Sequence, residues 1–169
     1  MDLLIPQPSL VVLIGPSGSG KSTFAARHFR PTEVISSDSC RALVSDDENN
    51  QAATPAAFRI VHAIARERLR ARRLTVVDAT NVQPVSRKPF VAMARKGNVP
   101  VLAIVFNLPE QLCVQRNGNR SHRSLPADVI HRQYDQMQRS LSGLSGEGFD
   151  RVHTLDSAVA VESVVIARA

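Results

Sequence analysis

Eight consecutive residues, Gly15-Pro16-Ser17-Gly18-Ser19-Gly20-Lys21-Ser22, constrain this chain more than any other stretch. They satisfy the pattern G-x-x-x-x-G-K-[ST], and their flanks give the pattern its meaning. Directly before them runs Leu10-Val11-Val12-Leu13-Ile14, an apolar block with the character of a buried parallel strand. Directly after them, residues 23–28 contain helix formers and neither Gly nor Pro. Strand, glycine-rich loop and helix in that order form an anion cradle. Gly15, Gly18 and Gly20 are expected to curl the backbone through positive φ, so that successive N–H groups face one cup. The cup opens at a helix N-terminus, whose unpaired N–H groups favour negative charge. Lys21 then supplies a cation for β and γ phosphates, and the Ser22 hydroxyl is placed to ligate Mg²⁺.

Composition removes several other classes. A chain of 169 residues that is 43% hydrophobic can bury a core and is expected to form one domain. No apolar run approaches the ~20 residues of a membrane span, and the first residues lack the basic and apolar regions of a signal peptide. Cys40 and Cys113 have no metal-ligand spacing, so buried thiols in a reduced, cytoplasmic protein are expected. The formal charge of +6 favours polyanionic partners. Only 4% of residues are aromatic, which argues against a base-stacking platform.

Along the chain, strands are expected at residues 10–14, 32–37, 74–77, 100–106 and 151–155. Between them lie helical segments at 39–44, 55–71, up to Gly97, through Cys113 toward Arg120, and 126–141, with a last helix at 158–168. Thr54 is read as the N-cap of the helix that begins at Pro55. Alternation of strands and helices implies a five-stranded parallel sheet with helices on both faces. Ligands on such a sheet gather beyond the carboxyl ends of its strands. Gly15, Asp38, Asp78 and Asn107 all fall at strand ends and are expected to crowd one crevice.

Asp38 and Arg41 lie three residues apart at a strand-to-helix transition, and on a helix they share a face. A carboxylate there can orient an attacking hydroxyl and take its proton, while the guanidinium grips a phosphate. The alternative makes Asp38 an N-cap and Arg41 a surface residue. Asp78 closes an apolar strand, as a metal-organising acid does, and would act directly or through water; capping a turn is its other use. Arg116, Arg120 and Arg123 share one face if a single helix carries them. Asn117-Gly118-Asn119 favours a hinged lid instead, and a merely solvated face stands as the alternative.

Taken together, residues 15–22, Val34-Ile35-Ser36-Ser37-Asp38-Ser39-Cys40-Arg41, Thr75-Val76-Val77-Asp78-Ala79-Thr80-Asn81, residues 105–109 and 116–123 resemble the kinase domain of bacterial polynucleotide kinase-phosphatase, an RNA-repair enzyme of the P-loop phosphotransferase superfamily. The resemblance runs over nearly the whole chain. It implies a P-loop NTPase-type three-layer α/β sandwich with a helical lid near residues 116–126. It also implies transfer of the γ-phosphoryl of ATP or another NTP to the 5′-hydroxyl end of RNA or DNA, with Mg²⁺ or Mn²⁺. The donor would then be held by Gly15, Ser17, Gly18, Ser19, Gly20, Lys21, Ser22 and Thr23, with Arg116, Arg120 and Arg123 from the lid. Lys21, Asp38, Arg41, Arg116 and Arg123 would do the chemistry, Asp38 as general base and Arg41 on the acceptor phosphate. Ser22 and Asp78 would serve the metal. Complete enzymes of this kind continue into phosphatase and ligase-like domains, so an excised domain or a stand-alone kinase is expected. A small-molecule kinase for a sugar, nucleoside or antibiotic shares the loop and lid, and a non-catalytic NTP-binding module shares the loop alone.

Overall fold

Strand β2 (Leu10–Ile14) is the centre of the molecule, and all five of its side chains are fully buried. The structure, a computed structural model, describes residues 1–122 and 124–169. Because successive side chains of a strand point to opposite faces, β2 feeds two cores at once. Leu10, Val12 and Ile14 join one apolar cluster, while Val11 and Leu13 join another. Burying each such aliphatic side chain is worth about 1.5–3 kcal/mol.

On either side of β2 lie β4 (Thr75–Asp78) and β5 (Val101–Phe106), both parallel to it. Leu10 pairs with Thr75 on one side and Val101 on the other. Beyond them β3 (Val34–Ser36) and β6 (Arg151–Leu155) complete a five-stranded parallel sheet in the order β3-β4-β2-β5-β6. The first cluster is covered by α3 (Thr54–Arg70), α4 (Pro84–Lys96) and α6 (Ala127–Leu141). The second is covered by α1 (Lys21–His28). The result is the expected three-layer α/β sandwich. Reversal of strand order beside β2 opens a crevice at the carboxyl ends of β2, β3 and β4.

Several local expectations are corrected. Only Val34–Ser36 is strand within residues 32–37; Pro31–Glu33 is a 3₁₀ turn, and α2 (Ser37–Ser45) begins directly after the strand. Ser36 is the N-cap of α2, accepting from the Ser39 amide at 3.2 Å, so Asp38 is not a cap but stands in the first turn. Ala53, not Thr54, precedes α3, because the 3₁₀ turn Gln51–Ala53 runs directly into the helix and Thr54 already has helical φ and ψ; its hydroxyl accepts from Arg41 instead. The expected last helix divides into α7 (Ala158–Glu162) and β7 (Val165–Arg168). β7 pairs in parallel with β1 (Asp2–Ile5), which packs Leu3 and Ile5 into the second cluster. This pairing joins the two ends of the chain, and local sequence patterns carry no trace of so distant a contact. Among the described residues no helix is long and apolar enough to cross a membrane.

Candidate active site

The phosphate loop turns through Gly18 at φ +83° and Gly20 at φ +93°. Gly15 differs from expectation: its φ is not positive, and space is what excludes a side chain there. A Cβ on Gly15 would lie 2.7 Å from Ser19 Oγ and 3.0 Å from Phe106 Cβ. On Gly18 it would meet the Cys113 carbonyl oxygen at 2.2 Å, so the loop is pressed against α5 (Glu110–Gly118). The Gly15 amide donates to the Thr80 carbonyl at 2.9 Å, tying the loop to the end of β4.

Lys21 is buried and folds back over the loop, donating to the Pro16 carbonyl at 2.9 Å and to Ser19 Oγ at 3.3 Å. Ser19 therefore lies beneath the loop, fully buried, with its amide donating to Pro16 at 3.2 Å. Ser17 faces the cleft, and its amide donates to Gln133 Oε1 of α6 at 2.9 Å. Ser22 Oγ donates to Asp78 Oδ2 at 2.7 Å. This hydroxyl and carboxylate at the mouth of the phosphate loop suit Mg²⁺, which takes few protein oxygens and fills its octahedron with phosphate and water. Among the described residues no cluster of three His, Cys, Asp or Glu side chains competes as a metal site.

Across a cleft of about 510 Å³ from Lys21 and Ser22 stand Asp38 and Arg41. Their side chains pair along one face of α2. Arg41 is only 8% exposed; its Nε donates to Thr54 Oγ1 at 3.1 Å, and burial lowers the pKa of its guanidinium from the ordinary value. Its Nη2 has no partner among the described residues and is the part left to meet a ligand. Asp78 and Arg120 line the same cleft. Asn107 does not; its side-chain oxygen accepts from Gln138 Nε2 at 2.5 Å.

A second cavity of about 310 Å³ shares Gly18 and Gly20 with the first and is walled by Thr23, Arg116, Arg120 and α7. Arg116 approaches Gly20, with 3.4 Å between its Nη1 and the position of a glycine Cβ. The helix carrying it stops at Gly118, and the Arg120 amide closes a turn on the Asn117 carbonyl at 3.2 Å. Arg116 and Arg120 therefore do not continue one helical face. Arg123 lies outside the described residues.

Sequence reasoning missed four contributors. Gln133 and Arg132 reach the cleft from α6 and stand far from any motif. Asn117 clasps the segment after α5: its Nδ2 donates to the Leu125 carbonyl at 2.7 Å, and its Oδ1 accepts from the Leu125 amide at 3.1 Å. Arg87 is fully buried, paired with Glu147, and donates to the Asn81 carbonyl at 2.8 Å. It holds Asn81 at φ +47° beside the cleft. A polar residue inside the apolar pattern of α4 was the available signal for Arg87.

A family model described as an AAA domain matches residues 10–144. A protein of Arabidopsis thaliana named transcription factor bHLH140 is 32% identical over 112 residues, covering 66% of this chain and 12% of that protein. Among solved structures, a chain of the Pnkp1/Rnl/Hen1 RNA repair complex superposes with a TM-score of 0.70 at 25% identity, over 82% of this chain and 46% of that one. A gluconokinase from Sinorhizobium meliloti 1021 gives 0.56 at 19% identity, over 91% and 85%. This chain thus spans only an eighth of the Arabidopsis protein and under half of the repair-complex chain. The P-loop kinase fold is common to both structures, and the resemblance drawn from the motifs is met by the repair-complex chain.

Proposed function

Since this chain belongs to the AAA_33 family of AAA domains, with a P-loop kinase fold, we propose that it is a polynucleotide 5′-hydroxyl kinase. In this reading residues 1–169 act as one catalytic domain. The observation that carries it is the pair of buried Arg41 and half-buried Asp38, which lines the same cleft as Lys21 and Ser22. A kinase needs a phosphate cradle and, opposite it, a group that can accept a hydroxyl proton. Arg41 adds a cation on the acceptor side, where a nucleic-acid end carries the next phosphodiester.

The loop amides and Lys21 hold the β and γ phosphates of the donor, and Lys21 leaves the Pro16 carbonyl to do so. Asp38 orients the 5′-hydroxyl and takes its proton as the new P–O bond forms and the bond to the β-phosphate oxygen breaks. Arg41 positions the acceptor through its phosphate. Arg120, which lines both cavities, and Arg116, which lines the second and approaches Gly20, stabilise charge on the transferring group, a role that in cis arginines is worth a factor of about 10³ to 10⁵. A Mg²⁺ held by Ser22 and Asp78 would neutralise charge on the β and γ phosphates.

A second reading has one observation in its favour. The cleft volume, about 510 Å³, lies within the ~300–1,000 Å³ typical of small-molecule sites. A small polyol acceptor would fit it. The two readings separate when γ-labelled ATP and Mg²⁺ are offered with a 5′-hydroxyl RNA, a 5′-hydroxyl DNA or gluconate. Label on the nucleic acids and none on gluconate is expected. Label on gluconate alone would assign the cleft to a small acceptor.

A further inference from the structure

The cleft is not the only cationic feature an acceptor would meet. Helix α3 begins in it, where Thr54 and Phe58 line the wall, and runs for 17 residues away from it. At 3.6 residues per turn, Arg59, Arg66 and Arg70 fall within about 40° of one another around the helix axis. All three are exposed, on the side opposite the buried Ala57, Val61, Ala65 and Leu69. Their other arginine neighbours do not share this line: Arg68 turns inward to donate to the Leu74 carbonyl at 2.7 Å, and Arg72 lies beyond the helix end.

Two features set this stripe apart from an ordinary solvated face. Arg59 and Arg66 make no ion pair or hydrogen bond among the described residues, and only Arg70 is paired, with Glu67 at 2.5 Å, both side chains well exposed. Between Arg59 and Arg66 the same line is occupied by Ala63, which is exposed and small enough for a backbone to approach. At 1.5 Å per residue, Arg59 stands about 8 Å from Thr54 and Arg70 about 24 Å from it. With a strand rise of about 3.4 Å per nucleotide, the stripe reaches some two to seven nucleotides from the cleft. Asp46, Asp47 and Glu48 follow α2 in the loop that Asn49 bonds to the His122 carbonyl at 3.3 Å. Their charge repels a polyanion on the lid side and leaves α3 as the favourable exit.

We propose that Arg59, Arg66 and Arg70 form a phosphate track on the outer face of α3 that holds a nucleic-acid strand downstream of its 5′ end. The track rests on the kinase reading of the cleft and deepens it: a small acceptor has nothing to place on α3. Binding is through backbone charge and is therefore indifferent to base sequence and sensitive to salt.

The test compares the wild type with the triple variant Arg59→Gln, Arg66→Gln, Arg70→Gln, which keeps helix-forming residues at exposed positions. Two acceptors are used, a 3′-phosphorylated nucleoside and a 5′-hydroxyl RNA 12-mer, and binding of the 12-mer is followed by fluorescence anisotropy. The variant should phosphorylate the nucleoside as well as the wild type does. It should lose about tenfold or more in kcat/KM on the 12-mer at low salt, and its slope of log affinity against log salt should be shallower by about 2. Unchanged kcat/KM on the 12-mer, an unchanged salt slope, or equal losses on both acceptors would each overturn the track. If the wild type phosphorylates neither acceptor, the kinase reading fails. Anisotropy then decides the track separately: weaker RNA binding by the variant upholds it, and equal binding removes it.

Discussion

Arg41 and Arg116 are both arginines at the edge of the same phosphate loop, yet the fold treats them in opposite ways. Arg41 is walled in by α2 and α3, 8% exposed, with Asp38 and Thr54 fixing two of its nitrogens. Arg116 is half-buried near the end of α5, two residues before the helix stops. The wall that holds Arg41 is built before any ligand arrives, because a buried guanidinium must already have partners. The Arg116 side rests on the phosphate loop itself: a Cβ on Gly18 would lie 2.2 Å from the Cys113 carbonyl oxygen, one turn before Arg116 on α5. One arginine is fixed by its own partners, and the other takes its place from the helix that carries it.

The contrast is open to test at four levels. The largest effect is expected from Asp38→Asn, which keeps the shape of the built wall but removes the carboxylate proposed as base. kcat should fall by about 10²–10⁴, equal to about 3–5 kcal/mol of barrier, with nucleotide affinity unchanged. A matching loss of nucleotide binding in titration calorimetry would mean that Asp38 shapes the cradle instead.

Next comes Gly18→Ala, which attacks the pin between the two walls. Left-handed strain and overlap with the Cys113 carbonyl together should cost about 3 kcal/mol. Melting temperature and nucleotide affinity should both fall, whereas a wild-type melt would show that α5 yields easily.

Asn117→Ala is expected to be milder, about 1 kcal/mol for the two hydrogen bonds to Leu125. Its effect should appear in the KM for ATP and in faster amide exchange across residues 118–125, with little change in the rest of the protein. Uniformly faster exchange would make the clasp part of the core.

The smallest effect concerns the scaffold under both walls. His28, His62 and His153 have their pKa lowered from 6.5, first by burial and then by Arg27, Arg66 and Arg151 respectively. Each has a buried Nε2 without a hydrogen-bond partner among the described residues. The folded protein binds protons on them less readily than the unfolded chain, which takes them up as pH drops below 6.5. Stability is therefore full above that pH and declines below it until the lowered folded values are reached. Denaturant melts at pH 7.5 and 5.5 should show the decline, and His62→Gln should flatten part of it. A pH-independent midpoint would place these imidazoles in water.

Much of this molecule was legible in its residues because the signals are local. The apolar run of β2 followed by glycines, Lys21 and Ser22 defines strand, cradle and helix within some 20 positions. Asp38 and Arg41 are one helical turn apart, so their pairing needed only the start of α2 to be located. What escaped was either long-range or a matter of space. Gly15 carries no positive φ and is required because Ser19 and Phe106 crowd it. Val165 and Ile166 are β-branched and favour a strand, but the run is short, and its partner β1 lies at the other end of the chain. Thr54-Pro55 has the residue types of a cap, but the 3₁₀ turn before it extends the helical backbone back through Thr54.

The sequence alone determined where anionic phosphate can be received, since the chemistry of such a cradle is written in adjacent backbone positions. Tertiary structure decided which distant groups face it. Gln133 against Ser17, Arg87 beneath Asn81, Asn117 across to Leu125, and the exclusion of Asn107 all depend on how helices dock on the sheet. The physical reason is one of range. Backbone conformation is set by neighbours a few residues away, whereas the partner of a buried polar side chain is set by whatever the packed core brings within hydrogen-bond reach.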